Sequence, residues 1–128
     1  EIAELLRFLK QSRIHNTIWI TTDVHHAAAI YYDPNQAVFK EFEPFWEFIS
    51  GPLHAGTFGH PPLDPTFGPQ TRFLSVPKDM KANRPPSAGL QFFGTVRIDG
   101  GTEELTVTQC NVAGDKLWSL TLPPNKSA

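Results

Sequence analysis

The sequence predicts an α+β chain that is mostly β. Three observations predict it: one amphipathic helical pattern at the start, short β-type apolar runs through much of the rest, and two tight turns near the end. At 128 residues the chain lies in the usual single-domain range and can bury its own core, so residues 1–128 read as one unit. It has 12 prolines, together with 10 Phe, 3 Trp and 2 Tyr. Loop-stiffening residues and large apolar rings in that proportion fit long loops pinned onto a core.

Ile2, Leu5, Leu6 and Leu9 recur at helical spacing, and Glu1 and Glu4 precede Arg7, Lys10 and Arg13 in the order the helix dipole favours. They predict an N-terminal helix over residues 1–11. No capping side chain precedes Glu1, and the chain opens without Met or a leader, so helix and protein are both expected to begin further upstream. Residues 17–22 are rich in β-branched side chains and apolar on both alternations, which predicts a central strand covered on two faces. Residues 27–32 predict a second strand, closed by the turn Asp33, Pro34 and Asn35. Residues 38–43 alternate apolar and charged side chains until Pro44 interrupts, and residues 45–49 resume as a strand that stops at Gly51 and Pro52.

Between residues 51 and 88 lie eight prolines and no periodicity, which predicts a long Pro-rich loop. Phe58, Phe67 and Phe73 favour an ordered loop, since disordered linkers are poor in aromatics. Beyond it, residues 90–99, 105–110 and 117–122 alternate cleanly around turns at Asp99 to Thr102 and Ala113 to Lys116. They predict a C-terminal antiparallel three-stranded meander.

A net charge of −2 and a pI near 6.2 supply no nucleic-acid-binding surface and no attraction to anionic lipid. No apolar run approaches the roughly 18 residues of a membrane span. The single Cys110 has no partner for an intramolecular disulfide and reads as a small core residue.

Chemistry concentrates where the first strand ends. Asp23 and His25 are two apart, so an extended backbone would point both side chains the same way. Carboxylate and imidazole are a ligand pair for borderline metals such as Zn, Fe and Mn. By spacing alone the pair favours a structural reading, with Asp23 capping a turn and His25 half-buried. His26 would point the opposite way, toward a substrate oxyanion or a bridging water, or simply into solvent. His15, His54 and His60 share no regular metal spacing. Arg72, Lys78, Lys81 and Arg84 offer an anionic substrate some attraction or form a solvated loop face. Residues 51–59 lack the lysine and the following helix of a nucleotide cradle.

Several strings occur together and in order: Trp-Ile-Thr-Thr-Asp-Val-His at 19–25, Tyr-Tyr-Asp-Pro at 31–34, Phe-Trp-Glu-Phe-Ile-Ser-Gly-Pro-Leu at 45–53, Ala-Gly-Thr-Phe-Gly at 55–59 and Pro-Ser-Ala-Gly-Leu-Gln-Phe-Phe-Gly at 86–94. Over nearly its whole length the chain resembles the C-terminal part of PhoD-like alkaline phosphatases and phosphodiesterases. The resemblance implies a mostly β fragment of a metallophosphoesterase-type sandwich and a secreted or extracytoplasmic parent. It implies hydrolysis of phosphate mono- and diesters by a metal-bound hydroxide, with Fe, Zn, Mn or Ca as the metal ions and Asp23 and His25 among the ligands. Thr22 stands where that family often has Gly. The remaining ligands would precede Glu1, so the chain alone is expected to be inactive and to bury its exposed β-face by self-association. The rival reading is a noncatalytic β-rich binding or accessory module.

Overall fold

The helix forms where charge and apolar spacing place it. A computed structural model describes residues 1–126, and in it Ile2–Gln11 (α1) carries Glu4 in its first turn and Lys10 in its last. The helix ends in a Schellman arrangement. Arg13 takes a left-handed φ of 53°, its N–H donates to the Lys10 carbonyl, and the Ile14 N–H donates to that of Leu9. Only part of the predicted apolar stripe is used. Leu6 is buried and packs with Leu9 on Ala37, Phe42 and Phe45, while Ile2, Leu5 and Phe8 stay exposed.

The described residues hold two sheets. Ile18–Thr21 (β1), Ala28–Tyr32 (β2), Phe45–Ile49 (β3) and Pro69–Leu74 (β4) form the first in the order β1-β3-β2-β4. β1 runs parallel to β3, and β2 is antiparallel to both β3 and β4. Phe92–Ile98 (β5), Leu105–Asn111 (β6) and Lys116–Leu122 (β7) form the antiparallel meander expected from their alternation.

Three expectations need correction. The strand after the helix is not central, for β1 lies at the sheet edge. Its two apolar alternations reflect layers above and below rather than strands on both sides: Trp19 packs toward the α1 cluster, Ile18 toward the meander, and Ile20 is left 62% exposed. The Pro-rich segment is also not loop throughout, because β4 lies inside it. Pro69 sits at the first position of an edge strand, where a missing N–H is tolerated, and this hides the strand from a reading that treats proline as punctuation. Residues 38–43, which alternate in sequence, form no strand and instead deliver Phe42 to the α1 cluster.

The sheets meet through Ala29, Phe48 and Val107, bordered by Trp46, Phe73, Trp118 and Leu120. Burial of such aromatic side chains is the main stabilising term, and removing one costs roughly 3–5 kcal/mol. One polar group crosses this layer. Gln109 is 0% exposed; its amide donates to the Ile49 carbonyl at 3.1 Å and accepts from the Ser50 hydroxyl at 3.1 Å. Both ends of the side chain are satisfied, as a buried amide requires, and β6 is thereby fastened to the exit of β3.

Candidate functional site

The exits of β1 and β3 lie side by side, and hydroxyl groups hold them there. Thr21 donates to Glu47 Oε1 at 2.6 Å, Thr22 donates to the Ser50 carbonyl at 3.0 Å, and the Ser50 N–H donates to the Thr21 carbonyl at 3.1 Å. A glycine at position 22 would lack the second of these bonds. Past Thr22 the chain leaves strand geometry, with φ of 81° at Asp23 and 61° at His25. Non-glycine residues in this region are uncommon, and such strain clusters at functional sites. Strand alternation therefore does not set the directions of Asp23 and His25; the double left-handed turn does.

His25 is fixed by its surroundings. Its Nδ1 lies 2.6 Å from the Gly56 carbonyl, which can only accept, so Nδ1 carries the proton. In the neutral ring the lone pair is then on Nε2. Phe58 stacks on the ring at 4.3 Å, and its N–H donates to the His25 carbonyl. Asp23 and His25 share a cleft of about 500 Å³ with His54 and with Phe92, Phe93 and Gly94 at the start of β5. Gly94 gives close approach: a Cβ there would lie 2.3 Å from Ser50 Oγ and displace it.

A backbone carbonyl that orients a histidine while leaving its other nitrogen bare is a recurrent support for a metal ligand. The donor types of Asp23 and His25 fit a borderline metal, but as part of a ligand set only. No group of three or more His, Cys, Asp or Glu side chains suited to a metal exists among the described residues. A family model described as PhoD-like phosphatase matches residues 1–109, a span that includes the whole cleft. The chain belongs to the PhoD-like phosphatase family. Neither a curated protein nor a solved structure matches it.

Other sequence-predicted residues of this PhoD-like chain lie elsewhere. His26 is 1% exposed and is not part of the cleft wall. Its Nε2 lies 3.1 Å from His60 Nδ1, whose Nε2 lies 3.3 Å from Thr71 Oγ1 on β4. The two rings meet edge to face at 5.1 Å. Burial first, and His60 second, hold His26 below the usual histidine range; burial and then Lys78 do the same for His60. The Phe58 and Val24 backbones act in the opposite direction on His26. His15 is at the surface against Glu43 Oε2 at 3.1 Å, and Cys110 is buried and free.

A larger groove of about 560 Å³ runs between α1 and β7, with His15 and Glu43 in its wall, but neither Asp23 nor His25 reaches it. Its lining is mostly apolar side chains. The sequence reading missed the Gly56 carbonyl, Gln91 and Gly94 as parts of the site. The closely spaced glycines of residues 51–59 were the available signal, because glycine marks close backbone approach.

Proposed function

We propose that this chain is the C-terminal segment of a metal-dependent phosphoric ester hydrolase in which Asp23 and His25 donate two of the metal ligands. The carrying observation is the 2.6 Å bond from His25 Nδ1 to the Gly56 carbonyl, which leaves Nε2 as the donor atom in the same cleft as Asp23. Family membership supplies the reaction class. The rest of the ligand set comes from sequence outside these residues, within a metallophosphoesterase-type sandwich that the two sheets help to build.

Oxygen and nitrogen donors of this kind accept Fe, Zn, Mn or Ca, and such ions supply Lewis acidity toward a phosphoryl group and acidify water. The chain's own residues orient and shield. The Gly56 carbonyl keeps the His25 tautomer, the Thr22 and Ser50 contacts fix the turn, and Phe92 and Phe93 exclude solvent from one wall. His26, paired with His60, braces the turn from behind. The parent is proposed to act outside the cytoplasm, so the coding sequence upstream should carry a leader, a twin-arginine one on this reading.

The test is metal analysis and aryl phosphate hydrolysis by the full-length protein and its Asp23→Ala and His25→Ala variants. Each variant is expected to lose both metal and activity; unchanged metal content and turnover would overturn the assignment and favour a noncatalytic module. The isolated chain is expected to lack metal-dependent hydrolysis, and measurable turnover by it would refute the shared-site proposal.

A further inference from the structure

Residues 52–56, most of which line the same cleft as Asp23 and His25, form a strap fastened at three carbonyls. Pro52 accepts from the Phe92 N–H at 3.0 Å, Ala55 from the buried Gln91 amide at 3.1 Å, and Gly56 from His25 at 2.6 Å. Between these ties Leu53 and His54 project, both exposed and both in the cleft wall. The His54 ring has no hydrogen-bond partner among the described residues. It is thus a free imidazole on a fixed backbone, aligned with the same space as the two candidate ligands. His26 and His60, which brace the turn, are by contrast tied to each other and to Thr71.

We infer that His54 is the proton donor to the leaving group of the phosphate ester, an inference that rests on the hydrolase reading above. In the step, the oxygen of a water forms the new P–O bond while the ester P–O bond breaks. His54 gives its N–H proton to the departing oxygen, which leaves as an alcohol. The proton released by the attacking water goes to solvent, from which His54 is reprotonated, so that ester and water give alcohol and phosphate. Imidazole is the side chain most often used for such transfer, and transfer matters most when the leaving oxygen is a poor anion. Leu53, Phe92 and Phe93 give the departing alcohol an apolar wall, which favours esters of organic alcohols over inorganic polyphosphates.

The experiment compares the full-length protein with its His54→Ala and His54→Gln variants on two substrates: an alkyl phosphate, whose leaving alkoxide needs a proton, and 4-nitrophenyl phosphate, whose phenolate does not. Both variants are expected to lose about 100-fold in kcat on the alkyl ester and about tenfold or less on the aryl ester, with metal content unchanged. Equal losses on the two esters, or no loss on either, would overturn the assignment while leaving the hydrolase reading intact. Loss of metal from the His54 variants would also overturn it, by making His54 a ligand. A wild-type protein inactive on both esters would remove the hydrolase reading itself, and this inference with it.

Discussion

His25 and His26 are neighbours in the chain and opposites in the fold. The first has one nitrogen tied to a backbone carbonyl and lines an open cleft. The second is buried at 1% exposure, with its Nε2 against the His60 ring. The left-handed φ of 61° at His25 separates them, by turning the chain between a solvent-facing and a core-facing position. Residue type therefore says little about role here; what decides it is which nitrogen the surroundings have already claimed.

The contrast can be broken from either side. The largest effect is expected from His25→Ala in the full-length protein, a loss of kcat/KM on the order of 10³, or about 4 kcal/mol of transition-state stabilisation. The metal-free protein should lose only about 1 kcal/mol with the Gly56 tie, and a collapse of stability instead would make His25 a structural residue. His26→Ala should behave in reverse. Removing a buried ring and orphaning its partner is expected to cost about 3 kcal/mol in denaturant unfolding, with the surviving folded protein keeping its turnover within about tenfold.

A smaller but more local perturbation is Gly94→Ala. The added methyl would meet Ser50 Oγ at 2.3 Å, and relieving that contact should cost about 1–3 kcal/mol while raising KM more than it lowers kcat. A normal KM would show that Ser50 can yield without disturbing the cleft.

The smallest expected effect is one of pH. Burial, then Lys78, lower the folded-state pKa of His60 below its ordinary 6.5. Above about pH 6.5 both folded and unfolded chains hold His60 neutral, and its contribution is complete. As pH falls through that value the unfolded chain takes up the proton first, so stability declines until the folded pKa is passed. The slope stays below about 1.4 kcal/mol per pH unit, the limit for one group. His60→Gln should flatten that part of the unfolding profile; an unchanged slope would place the titration elsewhere.

The meander was legible because its alternation and turns are local. So was the helix, although not which of its apolar residues would be covered: Leu6 and Leu9 meet Phe42 and Phe45, partners more than 30 positions away. The edge position of β1 and the strand at Pro69–Leu74 depend on pairing across the chain, which no window of sequence contains. The same limit applied to the site. Asp23 and His25 stood out by type and spacing, but Gly56, Gln91 and Gly94 act through backbone approach and hydrogen bonding to distant residues, and His54 gained interest only once the strap placed it in the same cleft wall as Asp23.

The amide of Gln109 has a dynamic consequence. Because it holds the Ile49 carbonyl and the Ser50 hydroxyl at once, the meander cannot lift from the first sheet without stranding three polar groups. β3 and β6 should therefore open together in one cooperative unit, with amide exchange rates that converge at the free energy of that shared opening. Ligand held in the cleft beside Ser50 would then slow exchange across the far sheet as well as around itself.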